Sequence, residues 1–323
     1  MISVNTKKTP GIEVINAIKE RRITCAFHDV DGTHSLIRDW RPVMSRVLYD
    51  TVTNGLPDNM LSEENIRRLV SLCGIEPLEE TDRFCVESAG LSALTQMEWA
   101  IRRREQLTEH TIGRSVNSQI IDRIWSGEEK FDDADEPQEF REYIAKNAPL
   151  LFRAYEQVLN RFCRDKNVKK AKENPSEYLV PGSMEYMKYL YENGVKNYFV
   201  TGAVIDKSAA PPMGMYEEVL ALGFEIGQGK LIEDIYGSTW EEKIPKEEVM
   251  EQLLTKLNIK GENVLVIGDG RSEISAGVKM GAVTVSILPD SALRERELHR
   301  QIGTNIILPD YTSKEIKKIF IGL

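Results

Sequence analysis

Residues Ile23–Ser35 read ITCAFHDVDGTHS. A β-favouring run, Ile23 to Phe27, passes through His28 and ends on two aspartates one residue apart, Asp29 and Asp31, followed by Gly32 and Thr33. Asp-Gly is an ordinary way for a chain to leave a strand. The carboxyl end of a strand is also where open α/β sheets gather their ligands, so two carboxylates there can be a catalytic pair. The sequence on either side decides between these readings.

From about Ser35 to Asn174, amphipathic helical patterns follow one another with short breaks and no strand pattern between them. SEENIRRLVSLCGI carries a capping-box start at Ser62 and a stop at Gly74. SALTQMEWAIRRREQL and APLLFRAYEQVLNRFCRD have the same period. Upstream, TPGIEVINAIKERR sets Ile12, Ile15 and Ile18 at near-helical spacing after a Thr-Pro start, which predicts a helix on the core. Strand and helix alternate again from Tyr178, through the strand KNYFVTG, the unit GENVLVIGDGRSEISAGVKMGAVTVSIL and the short TNIIL. Such alternation implies a parallel sheet. The predicted fold is therefore α/β, a Rossmann-like parallel sheet flanked by helices, with an inserted all-helical domain. Its core comprises residues 1–34 and 178–323, and the helical cap 35–177. An insertion directly after Asp-Gly-Thr takes the position of a lid over the strand ends.

Bulk properties narrow the function. No apolar run approaches the ~18 residues of a membrane span, and the first residues lack a signal-peptide core, so a cytoplasmic protein without membrane partners is expected. Four dispersed cysteines and four dispersed histidines support neither a disulfide framework nor a zinc site. A net charge of −9 (42 basic against 51 acidic residues) disfavours nucleic acid as a partner but leaves room for a cationic pocket. The acidic run Gly127–Glu142 reads as a solvated loop and helix start rather than a metal cluster.

Four segments put polar groups at strand ends or helix starts: Asp29–Thr33, Thr201–Gly202, the lysine-bearing EEKIPKEEVMEQLL, and VLVIGDGRSEI with Asp269 and Glu273. In this order they resemble the signature of the haloacid dehalogenase-like superfamily: DxDGT, a strand-terminal Thr or Ser, a Lys, then GDxxxD or GDxxxE. The insertion is similar to that family's type 1 helical cap in position and helicity. The resemblance implies a phosphatase acting on a small phosphorylated metabolite such as a sugar phosphate or a phosphoglycolate-like ester. Asp29 would be the nucleophile that forms an aspartyl-phosphate, and Asp31 the general acid and base. Mg2+ would be held by Asp29, the Asp31 backbone carbonyl and Asp269, with Glu273 direct or through water. Thr201, Gly202, Thr33 and a lysine would bind the phosphoryl group. Lys246, which opens its helix, fits the family pattern better than Lys243.

Two residues depart from that pattern. His28 stands where the family usually has phenylalanine or another apolar residue, and His34 where leucine is frequent. Arg271 reads as solvent-facing. The second aspartate argues against dehalogenation, Asp-Gly-Thr in place of Asp-Gly-Val against a phosphomutase, and the intact motifs against a non-catalytic phosphate-binding regulator. Specificity should lie in the cap, where Arg38 is a candidate for a second substrate anion, Ser35 and Trp40 for the cleft, and Ser88, Gly90 and Gln96 for a substrate loop. Trp99 and Trp125 read as cap core. Neither the substrate nor the oligomeric state follows from the sequence.

Overall fold

Seven strands form one sheet among the residues described by the structure, a computed structural model covering 11–19, 21–108, 114–131, 135–208, 213–239, 244–313 and 316–317. They are β1 (Glu13–Val14), β2 (Cys25–His28), β3 (Lys196–Val204), β4 (Asp234–Ser238), β5 (Val264–Gly268), β6 (Val283–Ile287) and β7 (Ile306–Leu308). The spatial order is β1-β7-β6-β5-β2-β3-β4, and every neighbouring pair is parallel except β1 with β7. After β4 the chain returns to the other side of β2 to lay down β5. The strand order thus reverses between β2 and β5, the crevice where doubly wound sheets bind ligands.

The sequence explains the double burial. VLVIG and VTVSI are buried along their whole length, as strands with helices on both faces must be. Side chains alternate between the faces with period two. Ala26, Leu265 and Val283 pack on one side with Tyr186 and Leu190. Cys25, Phe27, Val264 and Val266 pack on the other with Val249, Met250 and Leu253.

The chain divides into two compact units, one comprising residues 1–37, 167–238 and 244–323, the other 38–166 and 239–243. The second is helical: α1 (Trp40–Asn54), α2 (Glu63–Leu72), α3 (Glu79–Glu87), α4 (Ala93–Leu107), α5 (Arg114–Ser126) and α6 (Gln138–Leu159), the last running through a π-turn into α7 (Asp165–Glu173). Ser62 caps α2 as expected, its hydroxyl accepting the Asn65 amide at 3.2 Å. Trp99 stacks on Phe84 and Trp125 meets both edge-on, forming the aromatic centre of this unit. Val168 and Ala171 of α7 are already buried with Val30, Ile37 and Phe199 of the α/β unit. That unit adds α8 (Ser183–Glu192), α9 (Gly214–Ala221), α10 (Lys246–Leu257), α11 (Arg271–Lys279) and α12 (Leu293–Ile302).

Two expectations need correcting. The predicted N-terminal helix is absent from its described part, Gly11–Lys19, where Glu13 and Val14 instead pair with Ile307 and Ile306. Ile12 and Ile18 still reach the core, but the open edge of β7 offers hydrogen bonds that outweigh a weak helical period. Arg296 and Arg300 of α12 add ion pairs to Glu13 at 3.4 and 2.7 Å. Nor is the acidic run wholly solvated. Glu129 is buried, accepting from the Ser92 amide at 2.6 Å and the Thr95 hydroxyl at 3.0 Å, and Glu136 is buried against Arg102 at 2.5 Å.

Candidate active site

The site grows from β2 and β5, the two strands flanking the reversal. The Asp29 amide donates to the Ile267 carbonyl at 2.9 Å, continuing the ladder one residue beyond β2. The chain then turns. The Gly32 amide bonds the Ser35 carbonyl, and the His34 and Ser35 amides both bond the Val30 carbonyl, each at 2.9 Å. Gly32 has φ +76°, and a Cβ there would lie 2.3 Å from Asp269 Oδ2. Only glycine serves both needs, left-handed backbone and close approach of a carboxylate.

Asp269 follows the last residue of β5, and its Oδ1 accepts the Thr33 hydroxyl at 3.0 Å. Glu273 lies in the first turn of α11 and accepts the Gly270 amide at 2.6 Å, stabilising that helix start. A Cβ on Gly268 would lie 2.2 Å from Glu273 Oε1, so the strand end can only be glycine while that side chain folds back beneath it.

Lys246, the first residue of α10, joins the two sides. Its ammonium lies 2.8 Å from Asp29 Oδ1 and 2.9 Å from Glu273 Oε2, with all three side chains buried. Burial pushes the Asp29 carboxyl up to about 6; the Lys246 charge opposes this and the Glu273 charge adds to it. Burial also works against the charged forms of Lys246 and Glu273. For each, the opposite charge more than offsets it: Lys246 is held above its ordinary range, and Glu273 below its own. Carboxylate oxygens of Asp29, Asp269 and Glu273 come within 4.8 Å of one another, an all-oxygen donor set of the kind a hard divalent cation takes.

Of the remaining sequence candidates, Asp31 is half-buried in the turn, its backbone bridged to Ser35. Thr201 and Gly202 stand near the carboxyl end of β3, beside β2, where the register with β4 shifts. The buried Thr201 hydroxyl accepts the Ala203 amide at 3.2 Å, and among the described residues no bond joins it to Asp29. Lys243 lies outside the described residues. Arg38 belongs to the helical unit and holds Glu156 at 3.1 Å, and Gln96 bonds Ser88 at 2.9 Å within the same unit. Arg271, expected in solvent, is half-buried at the start of α11.

The sequence did not single out three buried residues around the turn, Ser183, Asn197 and Tyr311, nor the buried His299, which bonds Ser286 of β6 at 2.8 Å. Tyr311 donates to the Thr33 carbonyl at 3.0 Å and stacks on His34 with ring centroids 5.1 Å apart. Burial pushes His28 and His299 down to about 4, and burial together with the neighbouring His28 holds His34 well below the ordinary histidine range. No local pattern marks these positions, because their partners lie on other strands and helices.

A family model for haloacid dehalogenase-like hydrolases matches residues 47–281, a span containing Thr201, Lys246, Asp269 and Glu273 and starting after Asp29–Thr33. Among solved structures, a predicted phosphatase from Clostridium acetobutylicum aligns with a TM-score of 0.52 at 16% identity, covering 94% of this chain and 100% of that one. A hydrolase from Pseudomonas syringae aligns at 0.48 and 15% identity, covering 92% and 99% of the two chains. A β-phosphoglucomutase from Clostridium difficile gives 0.45 and 13%, covering 93% and 97%. At such identities the likeness is one of fold, and the first of the three carries it. No curated protein shows a significant match.

Proposed function

The chain belongs to the haloacid dehalogenase-like hydrolases, and from that premise we propose that it is a Mg2+-dependent phosphatase of a small phosphorylated metabolite. The observation that carries the proposal is Asp29 at the end of β2, buried against Lys246 and within reach of Asp269. A buried carboxylate backed by a fixed ammonium is a nucleophile awaiting an anionic electrophile. A turn residue needs neither burial nor a partner.

In this reading Asp29 attacks phosphorus and forms an acyl phosphate while the ester P–O bond breaks. Asp31 gives its proton to the departing alcohol oxygen. It then takes a proton from the water that attacks the acyl phosphate, and inorganic phosphate leaves with Asp29 restored. Lys246, the Thr201 hydroxyl and the Gly202 amide would bear on the phosphoryl oxygens, and the Thr33 hydroxyl keeps Asp269 oriented. The donor set fits Mg2+: Asp29, Asp269 and the Asp31 carbonyl would hold it, with Glu273 behind them. The cation would supply the positive charge that lets two carboxylates admit a phosphate dianion. Glu273 has both oxygens engaged, by the Gly270 amide and by Lys246, so its main work is to fix the lysine. The helical unit interrupts the chain a few residues after the two aspartates, and we assign it the cap role and substrate selection, with Arg38 as a candidate anion contact. The cysteines are all free thiols, in keeping with a cytoplasmic setting, and no described helix is long and apolar enough to cross a membrane.

Phosphate release from a panel of small phosphate monoesters, with Mg2+ or with EDTA, tests the proposal. Wild-type release should require the cation, and Asp29→Asn should abolish it while retaining the native circular dichroism spectrum. Undiminished turnover in Asp29→Asn would sink the mechanism. Transfer between two hydroxyls of one sugar, without net release, would identify a mutase instead.

A further inference from the structure

His28 and His34 flank the turn that carries both aspartates, and their rings meet: His28 Nδ1 lies 3.0 Å from His34 Nε2. Both side chains are fully buried. The direction of each hydrogen bond can be read from Asn197 of β3. Its Nδ2 donates to the Leu231 carbonyl at 3.1 Å and the Met187 carbonyl at 3.4 Å, which turns Oδ1 toward His28 Nε2 at 3.2 Å. An amide oxygen only accepts, so His28 carries its proton on Nε2 and presents a lone pair at Nδ1. His34 must then donate from Nε2, leaving its Nδ1 to accept the Ser183 hydroxyl at 2.7 Å. Each ring donates once and accepts once, and neither needs a charge. Tyr311 lies over His34, stacked on its ring, with its hydroxyl on the Thr33 carbonyl and 3.3 Å from His34 Nε2.

We propose that His28 and His34 are a positioning pair that sets the Asp29–Thr33 turn, with both imidazoles held as Nε2–H tautomers by Asn197. The role in turnover rests on the phosphatase reading; the tautomers and the turn's rigidity do not. Packing alone does not account for the pair. Apolar side chains would fill the same space without burying four ring nitrogens, and each nitrogen left unmatched would cost free energy. What the polar pair adds is direction. One side-chain bond ties the residue before the nucleophile to the residue after Thr33, across the mouth of a turn whose backbone bonds converge on Val30. A shift of this turn by a fraction of an ångström moves both carboxylates relative to phosphorus, which penalises the chemical step far more than binding.

The test uses the full chain and p-nitrophenyl phosphate with Mg2+. His28→Leu should lower kcat by about 30-fold with KM within twofold. His28→Asn, which keeps an acceptor toward His34, should recover kcat to within about fivefold of wild type. Nitrogen-15 imidazole spectra of the wild type should show both rings neutral and protonated at Nε2 at neutral pH. Amide exchange at Gly32, His34 and Ser35 should accelerate at least tenfold in His28→Leu, with the core amides of β5 and β6 unchanged. A wild-type Nδ1–H ring, unaltered turn exchange in His28→Leu, or Asn no better than Leu would overturn the proposal. If the wild type turns over no ester, the phosphatase reading fails by itself, and tautomer and exchange still decide the pair.

Discussion

Lys246 is where the site's electrostatics are concentrated, because one ammonium bridges two buried carboxylates. Lys246→Met would leave Asp29 and Glu273 facing each other in a low-dielectric pocket. We expect a loss of about 3 kcal/mol in urea unfolding, the cost of breaking a buried pair. The kcat on any active ester should fall by at least about 100-fold. Gly32→Ala tests the turn itself: a methyl 2.3 Å from Asp269 Oδ2 at φ +76° must displace that carboxylate. The variant should lose about 1–3 kcal/mol and bind Mg2+ more weakly by titration calorimetry. The acidic residues and Lys246 were legible in the sequence, since each sits at a strand end or helix start with its motif spacing. The supports under the turn were not. Ser183 and Tyr311 are separated in sequence from His34, and Asn197 from His28, and these partners meet only once the sheet is built.

Among the elements, the helices were the most legible, because a 3.6-residue period with a proper cap is a local property. Ser62 is the clearest case, and Ser62→Ala should cost about 1 kcal/mol by removing the acceptor for the Asn65 amide, read as a lower urea midpoint. The buried strands β5 and β6 were also legible, as short apolar runs bounded by glycine and helix. β1 was misread because two strand residues cannot announce themselves. What makes them a strand is the vacant edge of β7, supplied by sequence almost 300 residues away. The same holds for the buried Glu129 and Glu136, whose burial depends on partners in α4 and just before it.

For the whole molecule, the alternation of strand and helix was enough to infer a parallel sheet interrupted by a helical insertion, but not how the chain is tuned to pH. Burial pushes His28 and His299 down to about 4 in the folded protein, against roughly 6.5 when unfolded. Between those values the unfolded chain binds more protons, so stability rises with pH through this window and is lost as pH falls through it. Each histidine should remove about 3 kcal/mol by pH 4 relative to pH 8. Urea midpoints measured from pH 8 to pH 4 should fall most steeply below about pH 6, and His299→Gln should flatten part of that slope.

The reversal of strand order between β2 and β5 also dictates a sequence of events during synthesis. The strand that carries Asp29 leaves the ribosome first among the parallel strands, yet its neighbour β5 emerges only after the entire helical unit, β3, β4 and α10. Until then one flank of β2 has no partner, Asp269 and Glu273 do not yet exist, and the nascent chain cannot complete the carboxylate cluster around Asp29. Truncated or stalled chains ending before β5 should therefore release no phosphate from any ester that the full chain hydrolyses.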